Sequence, residues 1–425
     1  MNLWQQVRLH LIFAFFGIAG FLARVGIIRL TAHQGLFGGG VIWANCAGCF
    51  IMGYLVGHVF VAAGPIQTSA AAPSSQTGTG APELKPPFGD GRRAEVPAKS
   101  EIPLYVGLTT GFCGTFTSLS SAQLELFEIA ASTTATIAGG TERGAYGGDF
   151  AFPNAGYGVP AGLAYAIITC SVSIASFQAG RHLAAAPYIK ALTLTPRGLL
   201  FVELVLSALG AAAWIIVFVL AIVSGVTTSV TTTSGDGVLL TSSSALSPAA
   251  RYWALGMVFS PVAVYTRYWV SRLLNPTFPR KFPLGTFACN MLATLVLAVL
   301  AVLQYGAPIT VLMAGGISCQ VISALADGFC ATLSTVSTLV SELHSLRREF
   351  SFFFFFFFFF FFFFCDSYNR HLTSCPFFFC IVKYSYIYGL SSVFGPFCLM
   401  VLIFGSYVSV FLPSLFFSRP HDPEY

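Results

Sequence analysis

Apolar residues along this chain gather into long runs separated by polar stretches. A helix needs about 20 apolar residues to cross the hydrocarbon core of a bilayer. The runs therefore predict spanning helices at about 7–30, 38–62, 103–128, 157–180, 198–224, 251–272, 282–304, 308–345 and 383–412, about nine spans. The 308–345 stretch is too long for one straight span and must include a broken or non-spanning part. The first run contains Arg24 and Arg29 and is followed at once by another apolar segment, so it reads as a spanning helix and not as a cleavable signal.

The polar stretches differ in kind. Segment 64–102 is rich in Ala, Pro, Ser, Gly and charge, including Lys85, Arg92, Arg93 and Lys99, and cannot bury a core, so it reads as a disordered loop. A second polar loop at about 131–156 carries Gly139, Gly140, Gly147 and Gly148. Neither holds a catalytic motif.

Composition agrees with the pattern: of 425 residues 56% are hydrophobic and 9% charged, which excludes an ordinary soluble fold. The net charge of +5 comes without a basic run interleaved with aromatics, so nucleic acid is not an implied partner. The positive residues report orientation instead. One side receives Arg8, Lys85, Arg92, Arg93, Lys99, Arg181, Lys190, Arg197, Arg272, Arg280, Lys281, Arg347 and Arg348. The other receives little beyond Arg143 and Arg419, with Arg29 and Arg251 at helix ends. The expectation is a multi-pass membrane protein with its N-terminus cytoplasmic and its C-terminus outside. Eleven cysteines are an odd number scattered through apolar segments, which argues against a disulfide framework; Cys46 and Cys49 are spaced CxxC but sit inside a hydrophobic run.

Three landmarks recur in the same order. Arg24 ends Gly17-Ile18-Ala19-Gly20-Phe21-Leu22-Ala23-Arg24 and corresponds to Arg267 after Ser260-Pro261-Val262-Ala263-Val264-Tyr265-Thr266. Asn45, five residues after Gly40, corresponds to Asn290, five after Gly285. Gly111-Phe112-Cys113-Gly114-Thr115-Phe116-Thr117-Ser118-Leu119-Ser120-Ser121 corresponds to Gly328-Phe329-Cys330-Ala331-Thr332-Leu333-Ser334-Thr335-Val336-Ser337-Thr338. Glu125 and Glu342 each follow the first glycine of their copy by fourteen positions. These landmarks define two four-helix units, at 1–182 and 251–412, with a single extra helix at 197–225 between them. The odd helix turns the second unit over. The fold class is thus an all-α polytopic membrane protein of two inverted four-helix repeats joined by one linking helix, an arrangement associated with midplane binding sites.

In order, doubling and linking helix, these motifs resemble the Fluc/CrcB fluoride channel family, in particular its fused two-domain eukaryotic members, the fluoride export proteins. The resemblance covers nearly the whole chain apart from the loops and a phenylalanine tract. It implies dual topology within one fused chain that works as a monomer in the lipid bilayer. It also implies two side-by-side fluoride pathways between the halves, and a structural sodium ion held by backbone carbonyls of the broken third helices. Carried over, those carbonyls belong to Gly114, Thr117, Ala331 and Ser334. Ala331 stands where the family has glycine, which a carbonyl ligand tolerates.

A pathway for a small, strongly hydrated anion must replace water with hydrogen-bond donors without trapping the ion. Asn45 and Asn290 place amides in apolar helices, where an interhelical hydrogen bond and a pore role are both open readings; the resemblance favours the pore. Thr117, Ser118, Ser120 and Ser121, with Ser334, Thr335, Ser337 and Thr338, supply hydroxyls at matched positions. Tyr165, Thr169 and Ser173 share one face of the fourth helix at i, i+4 and i+8, as a packing seam or as a polar track. Tyr388 and Ser392 echo Tyr165 and Thr169. The family's pair of phenylalanines three apart is replaced by Leu119 and Ala122 in one half and by Val336 and Leu339 in the other. Arg24 and Arg267 read either as snorkelling helix-end cations or as vestibule charges that concentrate fluoride. Glu125 and Glu342 read as anchors for the end of the third helix, and Asp327 as a helix N-terminal residue.

Residues Phe352 to Phe364 are all phenylalanine, and no packing requirement explains such a run. Because a run of thymines encodes it, segment 352–383 reads as a translated intron or another gene-model error; sequencing the mature transcript tests this.

The resulting function is a passive fluoride channel that exports the cytosolic anion and so gives fluoride resistance. A coupled exchanger of another small anion would need a titratable group alternately exposed, and a non-conducting scaffold leaves the doubled polar track unexplained. No nucleotide-binding P-loop is present. An intramembrane enzyme would need a nucleophile with a base or a metal cluster, and His10, His33, His58, His182 and His344 form no such constellation.

Overall fold

The computed structural model describes residues 3–31, 40–58, 99–131, 155–186, 195–225, 227–234, 237–244, 247–277, 282–305, 317–346 and 376–405. The first unit holds α1 (Leu3–Thr31), α2 (Val41–Gly57), α3 (Pro103–Val106), a π-helical stretch Gly107–Cys113, α4 (Gly114–Phe116), α5 (Leu119–Ala130) and α6 (Gly158–Ala184). The linking helix is α7 (Pro196–Gly225). The second unit holds α8 (Pro248–Leu274), α9 (Leu284–Tyr305), α10 (Ile317–Leu325), a π-helical stretch Ala326–Cys330, α11 (Ala331–Leu333), α12 (Ser337–Leu346) and α13 (Pro376–Met400). Among the described residues, five helical stretches are long and apolar enough to cross a membrane: Leu3–Thr31, Gly158–Ala184, Pro196–Val223, Leu284–Gln304 and Gln320–Leu346. Val41–Gly57 and Tyr388–Ile403 are shorter apolar helices.

Two expectations change. An antiparallel hairpin, β1 (Thr227–Ser234) with β2 (Gly237–Ser244), stands between α7 and α8. The Thr-rich first strand suits a pleated ladder better than a helix, so β structure enters at one connection of an otherwise helical chain. The last helix begins at Pro376, not near 383, with proline at the helix start, where its missing N–H costs nothing. Residues 376–383 therefore belong to α13, and the rest of the tract assigned to a gene-model error, 352–375, lies outside the described residues. Nearly all of loop 64–102 lies outside them as well, except for a short 3-10 turn that begins at Lys99. There Lys99 Nζ donates to the Val56 and His58 carbonyls at 2.9 and 2.7 Å, at the C-terminal end of α2.

The core lies where the halves meet. Leu9 and Phe13, early in α1, pack with Val264 and Tyr268, late in α8; Phe21 and Val25, late in α1, pack with Tyr252, early in α8. The two first helices of the repeats thus run antiparallel, which is the inversion in physical form. Small residues permit the closest contacts. A Cβ on Gly53 would stand 2.0 Å from the Phe177 carbonyl oxygen, and one on Gly180 2.0 Å from that of Phe50, so α2 and α6 touch backbone to backbone. The linking helix is fastened to α1 in the same way at Gly210, against the Leu11 carbonyl. Glu203 of α7 pairs with Arg8 at 3.4 Å and accepts the N–H of Leu104 at the start of α3.

Candidate functional site

Both third helices break at the centre of the molecule. After α4 the backbone turns extended at Thr117 and Ser118, and after α11 at Ser334, before α5 and α12 begin. A broken helix leaves unsatisfied carbonyls at one end and N–H groups at the other. The sequence supplies hydroxyls for the second set. Ser118 Oγ accepts from the Ser121 N–H at 3.2 Å, and Thr335 Oγ1 accepts from the Thr338 N–H at 3.3 Å, a matched pair of N-caps.

The residue before each cap serves the opposite half. Thr117 Oγ1 accepts from the backbone N–H of Val336 and Ser337 at 3.3 and 3.1 Å. Ser334 Oγ accepts from the Ser120 N–H at 3.1 Å and lies 2.8 Å from Ser120 Oγ. Each break therefore caps the helix of its partner. Asn45 and Asn290 hold the breaks in register. Asn45 accepts from the Ser118 N–H at 2.9 Å and donates to its carbonyl at 3.2 Å; Asn290 does the same to Thr335 at 2.8 and 3.4 Å. One N–H of each amide is used in this way. Of the two readings open in the sequence, the structure shows the interhelical hydrogen bond.

The fourth helices add a second matched set. Tyr165 donates to Glu125, and Tyr388 to Glu342. Thr169 and Ser392 flank those tyrosine oxygens, and among the described residues their own hydroxyl oxygens have no other partner. Thr286 donates to the other Glu342 oxygen at 2.7 Å. Ser173 donates to the Thr169 carbonyl at 2.7 Å, bonding the preceding turn, and the matching position of α13 is Pro396. Glu125 and Glu342 are thus not helix-end anchors: they tie the third helices to the fourth through the tyrosines. Their equal spacing from Gly111 and Gly328 was the signal that could have revealed this. Asp327 also departs from its expected place, lying inside the π-helical stretch, where its carboxylate accepts from Tyr252 at 2.7 Å. Leu119, Val336 and Leu339 are buried in one apolar cluster and Ala122 in another, so apolar groups fill the positions of the missing phenylalanines.

Arg24 and Arg267 are not vestibule charges; they are 1% and 2% exposed. Arg24 donates to the Thr115 carbonyl in its own half and to the Asp327 carbonyl in the other. Arg267 donates to the Thr332 carbonyl in its own half and to the Thr110 carbonyl in the other. The two patterns are equivalents under the repeat. They arise because each break presents helix-end carbonyls, and each π-helical stretch offsets further ones from the regular ladder. Arg267 also reaches the carbonyls of Gly114 at 3.0 Å and Ser334 at 3.5 Å.

A central sodium ion has to be weighed against these contacts. Of the four carbonyls assigned to it, those of Gly114 and Ser334 accept from Arg267, and that of Ala331 accepts from Ser334 Oγ at 3.4 Å. Like charges about 4 Å apart repel by about 4 kcal/mol at an effective dielectric constant of 20. With the Arg267 guanidinium on two of these carbonyls and Arg24 on the Thr115 carbonyl beside that of Gly114, the residues do not fit a further cation at that point.

Fold and site together define a polytopic helical membrane protein of two inverted halves whose broken helices cross and line the crossing with amide and hydroxyl groups. The family model described as "CrcB-like protein, Camphor Resistance (CrcB)" matches residues 11–181 and 254–367. The chain belongs to this family. It is 33% identical to Fluoride export protein 1 of Candida albicans over 344 residues, 79% of this chain and 72% of that protein. It is 32% identical to Fluoride export protein 1 of Neurospora crassa over 411 residues, 92% of this chain and 65% of that protein. Fluoride export protein 1 of Saccharomyces cerevisiae is 26% identical over 392 residues, 81% of this chain and 87% of that protein. No solved structure matches the chain.

Proposed function

We propose that this chain is a transporter and not an enzyme: a fluoride-selective channel that lets cytosolic fluoride leave across the plasma membrane and so gives fluoride resistance. The observation that carries the reading is the duplicated donor set in a buried setting. Each half presents one asparagine amide with a second N–H and the capping hydroxyls at its break, and on its fourth helix a further hydroxyl, Thr169 or Ser392, a turn from the tyrosine that donates to the glutamate. Neutral donors suit an anion as costly to dehydrate as fluoride, because they replace its water without a fixed charge that would hold it. In the first half the path runs by Asn45, Ser118, Ser120, Ser121, Tyr165, Thr169 and Ser173. In the second it runs by Asn290, Thr335, Ser337, Thr338, Tyr388 and Ser392. Both halves lie in one chain, so the functional unit is a monomer in the bilayer, with its N-terminus in the cytoplasm and its C-terminus outside.

The driving force needs no ATP. A potential of 100 mV, negative inside, contributes about 2.3 kcal/mol per charge, enough for an outward fluoride gradient of about 50-fold. The test is efflux from proteoliposomes read with a fluoride electrode, with chloride as the control anion. Fluoride efflux well above chloride efflux is expected; equal rates, or no flux, would overturn the reading.

A further inference from the structure

We propose that Arg24 and Arg267 are the resident central cations of this protein, guanidinium groups that hold the two helix breaks together where the family resemblance puts a sodium ion. Each arginine spans the interface, with one hydrogen bond to a carbonyl of its own half and one to the opposite π-helical stretch. The four principal acceptors, Thr115, Asp327, Thr332 and Thr110, are two pairs of repeat equivalents, so the arrangement is built twice. Room for it is built in as well. A Cβ on Gly114 would stand 2.4 Å from Arg267 Nη2, and one on Gly20, a turn before Arg24, 2.8 Å from Thr115 Cβ.

The electrostatics favour a cation at this point. The helical stretches that end at Phe116 and Leu333 direct their C-terminal carbonyls toward the crossing, the negative end of the helix dipole. A guanidinium carries five N–H donors in a planar fork, so it can satisfy several converging carbonyls at once. A free ion must be bound from solution, whereas a guanidinium carried on α1 or α8 is present whenever the chain is folded. The centre of this molecule is therefore expected to be indifferent to sodium.

The test uses the full chain in detergent, with thermal unfolding followed by tryptophan fluorescence in sodium chloride and in N-methyl-D-glucamine chloride. A sodium ion bound at about a hundred times its Kd would raise the midpoint by several degrees. Equal midpoints in the two salts are expected. A higher midpoint in sodium, or one equivalent of radioactive sodium retained at equilibrium dialysis, overturns the proposal. Arg267→Met uncovers the Thr110 and Thr332 carbonyls and is expected to unfold several degrees lower in sodium-free buffer; an unchanged midpoint also overturns it. Should that variant fail to fold, the comparison of salts on the parent chain still decides. Neither readout requires fluoride flux, so failure of the transport reading leaves this test intact, and the reverse holds too.

Discussion

A primary amide has two N–H groups, and in Asn45 and Asn290 one of them is committed to the backbone of a helix break. Removing the amide therefore acts twice. Asn45→Ala leaves the Ser118 N–H and carbonyl without their partner, at a cost of about 1–3 kcal/mol, and it also takes a donor from the pathway. Asn45→Asp keeps the acceptor for Ser118 but places a carboxylate beside the anion. The expected outcome is a low unfolding midpoint with reduced efflux for the alanine variant, and a smaller stability loss with an equal or greater loss of efflux for the aspartate variant. If the aspartate variant conducted at the parent rate, the amide would be a brace alone. Thr286 provides a residue-scale asymmetry, because its hydroxyl donates to buried Glu342 while Val41 occupies the matching place in the first half. Thr286→Val is expected to cost about 1–3 kcal/mol, the penalty for leaving a buried Glu342 oxygen without its donor, read as a shift of the denaturant midpoint.

At the scale of elements, the breaks are held by exchange: Thr117 caps α12 and Ser334 caps α5. Loss of an N-cap costs about 1 kcal/mol. Ser334→Ala and Thr117→Val are each expected to destabilise by about that amount. The two caps lie in one hydroxyl network, with Thr117 Oγ1 3.3 Å from Thr335 Oγ1 and Ser334 Oγ 3.2 Å from Ser118 Oγ, so the double variant is expected to depart from the sum by about 0.5 kcal/mol or more in denaturant unfolding. Helix contact makes a sharper prediction. Gly180→Ala would drive a methyl into the Phe50 carbonyl, and neither backbone can rotate away. The expected cost is about 1–3 kcal/mol, visible as a lower thermal midpoint, and Gly53→Ala should behave alike. Much of this level was legible: the two Gly-Phe-Cys stretches, the matched hydroxyls and the asparagines marked a pair of equivalent segments, and the family resemblance implied that both are broken. The partners were not legible. Nothing local to Arg24 indicates that it donates to a carbonyl 303 residues away, because that contact exists only once the second half is inverted and its helix widened to a π turn. Tyr388 was found through its echo of Tyr165, whereas its pairing with Glu342 required the fold.

For the whole molecule, inversion is the property on which every paired feature depends, and the linking helix sets it. With α1 and α8 antiparallel, Leu9 and Phe13 meet Val264 while Phe21 meets Tyr252, and the two breaks face each other across the crossing. A 30-residue helix is about 45 Å long, enough to carry the chain across the bilayer and back into register for an upturned second half. Deletion of 196–225 leaves an even number of spans, so the second half would insert the same way up as the first. Neither the exchanged caps nor the arginine bonds could then form. Replacement of α7 by an unrelated apolar helix of equal length restores the parity but omits Glu203, and with it the pairing to Arg8 and the acceptor for Leu104. The expected result is no efflux and a reporter after α13 on the opposite side of the membrane for the deletion. For the replacement, the parental reporter position and partial efflux at a lower unfolding midpoint are expected. Efflux retained by the deletion would mean that the halves find their inverted arrangement without α7, and the topological role assigned to this helix would fail.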